Sequence, residues 1–549
     1  MTTQTLNSST RNINWLSGSA VLIASVLALP VLVICAFLFA GSVEVWSHLF
    51  STVLGDYIGN SLALLVGVSA GVLLLGVPTA WLTSVCEFPG RKIFTWALLL
   101  PLAVPAYIIA YTYTGLLDFA GPVQSLIRNI TGLGYGEYYF FEIRSLGGAT
   151  VMLSLVLYPY VYLLSRAAFL EQSNSAIEVS RTLGYSRTQA FFKLALPLAR
   201  PAIIAGLTLA LMETLADYGT VQYFGVTTFT TGIFRTFYGL GDSAAAAQLA
   251  AMLLGFVVLL ILLEKYSRRQ IKYHSSNEQR KRPKLVKLTG TEAAGAFLIC
   301  LLPVLFGFLL PGGVLLNWAI TQAEFNPQDF IELAWNSFTL ASAAAVLAVL
   351  LALILAYARR MNNHRRVQTS VMIAGMGYAL PGTIIAIGIL IPMAWLDHQL
   401  INLSSEWFGF NPGLIFSGTL FALLFAYMVR FLAVSLGSIQ TGLDKIKPSV
   451  DSAGRSLGCT PAQVLKRIHV PLMRSSVLTA LLIVFVDVLK ELPATLILRP
   501  FNFNTLAVRA FELASDERLI DAAPASLMIV AVGLLPVILL SRSIARGKE

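Results

Sequence analysis

Apolar runs of roughly 18 to 25 residues recur along this chain, each long enough to cross a hydrocarbon core about 30 Å thick. Most contain no ionisable residue, which restricts the fold to what a bilayer tolerates. A helix satisfies its own backbone in lipid, and the alternating pattern of a membrane barrel is absent. The class is therefore all-α and polytopic. Twelve transmembrane spans are expected near residues 18–41, 60–84, 93–116, 146–168, 200–224, 244–264, 294–316, 335–358, 369–395, 412–436, 475–497 and 522–541. Composition agrees: 12% of positions are charged, against about 25% in soluble domains. The first run follows a polar lead with a single Arg11 and lacks a small-x-small cleavage site, so it reads as a membrane helix rather than a secretion signal.

The formal net charge is +10, and its placement decides its meaning. Arg91 and Lys92 follow span two, and Arg359, Arg360, Arg365 and Arg366 follow span eight. Nine more Lys and Arg residues, from Lys265 to Lys287, crowd the connector after span six. Loops 42–59, 317–334 and 396–411 contain none. The positive-inside rule then places both termini and the connector in the cytoplasm, beside anionic lipid. No basic face is left for nucleic acid. Cys35, Cys86, Cys300 and Cys459 are scattered without metal-ligand spacing, as are the histidines. No nucleophile stands with a base to suggest an enzyme.

The chain also repeats itself. Asn60-Ser61 opens span two and Asn336-Ser337 opens span eight, while Pro105-Ala-Tyr-Ile-Ile-Ala110 answers Pro381-Gly-Thr-Ile-Ile-Ala386, both at a register of 276 residues. Further on, Arg181-Thr-Leu-Gly184 answers Arg455-Ser-Leu-Gly458, Gln189 answers Gln463, Lys193 answers Arg467 and Pro197 answers Pro471, at a register of 274. Each half has an even number of spans, so the repeat is parallel, with an expected pseudo-twofold axis along the membrane normal and a pathway between halves. The halves are residues 1–264 and 291–549, joined by the basic cytoplasmic linker 265–290.

Two polar loops, 171–200 and 441–474, share one local design. In the first, Gly184 can take the left-handed conformation that ends a helix. Ser186 supplies an N-cap, Gln189 completes a capping box, and the new helix is expected to stop at Pro197. In the second, Gly458, Thr460, Pro461, Gln463 and Pro471 play the same parts. Such a rigid helix–turn–helix suits a mechanical coupling element.

These residues carry a family resemblance. Glu178-Val-Ser, Gly184 six positions after that Glu, and Leu194-Ala-Leu-Pro197 resemble the EAA loop of binding-protein-dependent ABC importer permeases. Ser452-Ala-Gly, Gly458 and Ile468-His-Val-Pro471 repeat the spacing. Val179-Ser180 stand where the pattern has two alanines, and Ser452 stands in place of the acid, with Asp451 adjacent. The resemblance implies a type I ABC importer permease fold in a bacterial inner membrane. It implies that Glu178, Arg181, Gly184, Ser186, Gln189 and Pro197, with Ser452, Arg455, Gly458, Thr460, Gln463 and Pro471, dock two cytoplasmic ATP-binding subunits. A periplasmic substrate-binding protein is the other implied partner. The chain has no Gly-x-x-x-x-Gly-Lys-Ser/Thr loop, so ATP and Mg are expected on the partner subunits and no cofactor on this one.

Intramembrane acids are costly and are functional candidates by default. Glu213 and Asp217 in span five align with Asp487 and Glu491 in span eleven, each pair spaced to share one helical face. Opposed across the axis they can line a path for a hard cation, with Asp217 and Glu491 as transient metal ligands at most. Alternatively they are structural, with Lys490 neutralising its neighbours. The segments Pro101–Tyr111, Leu117–Pro122, Ala216–Thr220 with Thr228–Gly232, and Lys490–Leu496 resemble fused ferric iron importer permeases over almost the whole chain. Related permeases move thiamine, polyamines or aminoalkylphosphonates. A secondary carrier with two six-helix halves is the reading from a different class, and it needs no duplicated docking loop.

Overall fold

In a computed structural model, residues 3–37, 47, 49, 51–134, 136–182, 184, 186–268, 285–324, 326–362 and 364–546 are described. Side chains at 3–14, 171–182, 187–188, 267–268 and 540–546 lie outside that description, as do linker residues 269–284. The described chain is almost wholly helical. The principal helices are α1 (Thr3–Phe37), α2 (Leu54–Val85), α3 (Ala106–Leu117), α4 (Leu146–Thr182), α5 (Leu196–Ala216) and α6 (Ser243–Arg268), then α7 (Gly290–Thr321), α8 (Pro327–Met361), α9 (Gly382–Phe408), α10 (Leu420–Asp444), α11 (Arg474–Leu489) and α12 (Ala523–Arg546). A two-residue parallel pairing ties Cys86–Glu87 to Val286–Lys287, anchoring the end of the linker beside α2.

Among the described residues, nine helices are long and apolar enough to cross a bilayer. Two bent pairs raise the number to 11, and the apolar stretch of α12, Ala523–Leu539, is shorter. The twelve expected regions are thus each helical, but two of them are bent pairs rather than straight spans and the last is short. The expected third span is Arg91–Ala103 joined to Ala106–Thr131 at 89°, and the eleventh is Pro461–Leu472 joined to Arg474–Leu489 at 81°. The expected ninth span also begins late, at Gly382. In the third and ninth regions the cause is the repeated proline: Pro105 (ψ 144°) and Pro381 (ψ 139°) are extended N-caps. Proline disfavours a helical residue before it and supplies no amide to a preceding turn.

The helices form two compact units. One comprises the described parts of Met1–Trp46, Ile233–Met252 and Asn326–Val508; the other comprises Ser47–Gly232, Leu253–Phe325 and Arg509–Glu549. Within the first unit α8, α10 and α11 pack together, and within the second α2, α4 and α5, the equivalent helices of the repeat, do the same. The units are not the sequential halves, because end helices are exchanged. Helix α1 packs on α8 and α9, while α7 and α12 belong with the α2–α5 core. Gly388 permits the close approach of α9 to α1, since a Cβ there would stand 2.5 Å from the Pro30 carbonyl oxygen. In the other unit the Tyr113 hydroxyl donates to the Phe306 carbonyl of α7 at 2.7 Å.

Lipid gives little hydrophobic drive for helix association, so close packing of small residues must supply it. Gly67, Gly71 and Gly76 of α2 face Thr150, Ser154 and Val161 of α4, and a Cβ on Gly71 would fall 2.1 Å from the Ser154 hydroxyl oxygen. Gly71→Val is expected to destabilise the detergent-solubilised protein by about 1–3 kcal/mol through overpacking. Gly255→Val, where nothing lies within 4 Å, should leave the thermal midpoint unchanged.

Candidate functional site

The two loops adopt one geometry from different residues. Gly184 (φ 69°) and Gly458 (φ 84°) both occupy the left-handed region, which lacks a steric penalty only for glycine. The Ser186 amide donates to Gln189 Oε1 at 3.1 Å, and the Gln189 amide donates to Ser186 Oγ at 3.3 Å. In the second loop Thr460 and Gln463 make the same reciprocal box at 2.9 and 3.3 Å. Each box satisfies two orphan amides of a new helix. Residues Phe191–Ala195 and Leu465–His469, equivalent at the 274 register, then form single π-helical turns.

Those π turns correct the expected role of Pro197. It does not stop a helix: Phe191–Ala216 continues through it. The proline ring would collide with the carbonyl four residues back, and the wider π turn over Lys193 relieves that clash. Pro471 has the same π turn behind it, but there the chain does break, at Met473 (φ −104°, ψ 23°). Glu178 and Arg181 are on the last turns of α4, with their side chains outside the described residues. Ser452 and Arg455 lie on a separate helix, Pro448–Ser456, and Leu457 beside Gly458 is 84% exposed.

The four acids do not pair on helix faces. Helix α5 ends at Ala216 and α11 at Leu489, so Asp217 and Glu491 sit in the breaks beyond them. Each carboxylate instead caps the short helix that follows. Asp217 Oδ1 accepts from the Thr220 and Val221 amides at 3.0 and 3.1 Å, and Oδ2 accepts from the Thr220 hydroxyl at 2.9 Å. Glu491 Oε1 accepts from the Ala494 amide at 3.1 Å. Glu491 also forms an ion pair with Arg430 of α10 at 3.1 Å, a residue the sequence reading missed. Gly382 leaves room for this pair, since a Cβ there would lie 2.5 Å from Arg430 Nη1 and 2.6 Å from Glu491 Oε1. Lys490 holds Asp487 at 2.9 Å. Glu213 is half-buried and makes no hydrogen bond or ion pair among the described residues. No group of three or more His, Cys, Asp or Glu positioned to hold a metal ion occurs among them.

The loop that follows each break is fastened to the start of the second helix of its half. Asn60 Nδ2 donates to the Thr227 carbonyl and hydroxyl at 2.9 and 2.8 Å. The Leu506 amide donates to Ser337 Oγ at 2.8 Å. The repeated Asn-Ser pair is thus a tether for the broken spans.

The repeated core thus carries broken apolar spans together with capped helix–turn–helix loops, an arrangement that fits a transport permease. The chain belongs to the binding-protein-dependent transport system inner membrane component family, whose model matches residues 14–272 and 348–546. It is similar to the Fe(3+)-transport system permease protein FbpB 2 of Haemophilus influenzae, with 27% identity over 96% of this chain and 98% of that protein. The ferric transport system permease protein FbpB of Actinobacillus pleuropneumoniae is 24% identical over 80% of this chain and 64% of its own length. The molybdenum transport system permease protein ModB of Escherichia coli is 26% identical over 38% of this chain and 89% of its own length. The chain is accordingly a multi-pass permease of an inner-membrane, binding-protein-dependent ABC importer rather than a member of an enzyme class.

Arg430→Gln would leave Glu491 buried without its guanidinium, at a cost of about 3 kcal/mol or more. Thermal unfolding of the purified protein should show that loss, and Arg430→Gln combined with Glu491→Gln should recover much of it.

Proposed function

We propose that this permease imports ferric iron, taking it from a periplasmic binding protein and drawing energy from two ATP-binding subunits docked on loops 171–200 and 441–474. The observation that carries the reading is the duplicated capped turn, at Ser186 with Gln189 and at Thr460 with Gln463, inside a chain whose full length aligns with an iron permease. The relative named for molybdenum matches a single half-length segment, so iron has the better support. Both termini and the basic connector face the cytoplasm in this reading, which puts the loops on the side of ATP. The rigid turns would pass the approach of the two ATPases to the helices behind them, opening and closing the path alternately.

Of the four acids, Glu213 is our choice for contact with the passing cation, because the other three are engaged as caps or ion pairs. Asp217 and Glu491 then act by shaping the breaks. Membrane vesicles carrying the permease, its ATPase and its binding protein should accumulate radiolabelled ferric iron only with ATP. Uptake that follows a proton gradient and ignores ATP would sink the proposal in favour of a secondary carrier. Excess molybdate or aminoethylphosphonate should not compete.

Gly184→Pro and Gly458→Pro each forbid the left-handed turn. Both should abolish uptake while leaving ATP hydrolysis by the assembled complex intact. Glu213→Gln is expected to lower iron uptake severalfold with normal assembly, whereas unchanged uptake would remove that carboxylate from the path.

A further inference from the structure

The second docking loop is fastened to its own core by charged and polar contacts, and this reassigns Asp451. Its position next to Ser452 made it the natural stand-in for the acid missing from the second loop. In the structure Asp451 turns inward and is largely buried. Arg360, on the last turn of α8, donates from Nε and Nη2 to Asp451 Oδ2 at 3.0 and 2.7 Å. The same guanidinium donates to the Leu443 carbonyl at 2.5 Å and the Ile446 carbonyl at 2.8 Å, at the end of α10. His469 Nε2, fully buried on the returning arm, stands 2.9 Å from Asp451 Oδ1, although without hydrogen-bonding alignment. One turn back on α8, the Tyr357 hydroxyl donates to the Pro461 carbonyl at 2.8 Å, and its ring lies edge-on to His469 with centroids 5.6 Å apart. Both arms of the loop are thereby held by Tyr357 and Arg360.

None of these groups has a counterpart in the first half. At the 276 register Tyr357 aligns with Trp81 and Arg360 with Ser84; at the 274 register Asp451 aligns with Ile177 and His469 with Ala195. Ser84 spends its hydroxyl on the Trp81 carbonyl at 3.0 Å. Trp81 packs against Phe169 and Phe191 with ring centroids 5.3 and 5.1 Å away. Among the described residues, the start of the first loop's returning arm meets its core through this aromatic packing.

We propose that Arg360 and Asp451 form an internal latch, so that Asp451 is a positioning residue for the second loop and makes no contact with an ATPase. The second loop then meets its ATPase without the Asp451 carboxylate. This rests on the docking role proposed above, but the latch can be tested without it.

Amide hydrogen exchange is measured over residues 448–472 of the full chain in lipid nanodiscs, for the parent, Arg360→Gln, Asp451→Asn and the double variant. Each single change should speed exchange by about tenfold, and the double should be no faster than either single. Additive effects, or no acceleration, would overturn the latch whatever the ATPase does. The second arm measures binding of the purified ATPase to the same nanodiscs and transport per ATP in the assembled complex. The expected result is unchanged affinity for Asp451→Asn, weakened affinity for Glu178→Gln, and an equal fall in transport per ATP for Asp451→Asn and Arg360→Gln. Weaker ATPase binding by Asp451→Asn with normal binding by Arg360→Gln would make Asp451 the docking acid and contradict the proposal. If the parent chain itself bound no ATPase, the docking role would fail, and the exchange data would still decide the latch.

Discussion

A helix that stops inside a bilayer exposes amides and carbonyls that lipid cannot satisfy, and this permease ends helices within its apolar regions repeatedly. The solution is the same in both repeats: an acid placed just beyond the end of one helix caps the next. Asp217 and Glu491 do this for the short helices Gly219–Tyr223 and Pro493–Leu498. Without such a cap the break would cost several unsatisfied groups, and the chain would favour a straight span. Broken spans tied by Asn60 and Ser337 to a packed three-helix core give each unit a defined irregular segment on a rigid base.

Duplication has preserved backbone shape more faithfully than chemistry. Serine or threonine caps the docking turn, aspartate or glutamate caps the broken span, and an aromatic cluster or a charged knot fastens the loop. The second half uses more charge: Arg360 and Arg430 have Ser84 and Val156 as their counterparts. A buried ion pair is a weak source of net stability, but it enforces one arrangement strongly, since separating the partners is costly. Among the described residues, the second half is therefore held in its geometry by pairs that are expensive to separate.

Much of this was legible in the sequence. The twelve regions of apolar character were visible, and so were the glycine turns and both capping boxes, because Gly, Ser, Thr and Gln at fixed offsets specify local backbone directly. The breaks at Pro105 and Pro381 were hidden because apolar residues continue on both sides, and hydropathy does not register a change of direction. Treating Asp217 and Glu491 as members of helical faces failed for the same reason. The exchange of α1, α7 and α12 between cores is a matter of tertiary packing that no repeat register encodes. Arg430 stands out in the sequence as a lone cation in an apolar run, whereas Arg360 carries in sequence only a topology signal.

The claim on which the function turns is that the exposed tips of these loops meet a nucleotide-driven subunit. A photoreactive amino acid at Leu457, which is 84% exposed beside Gly458, tests it most directly. Irradiation of the assembled complex should join the permease to the ATPase, with a yield that changes between ATP-bound and nucleotide-free states. No product in either state, from a variant that still transports, would contradict the account.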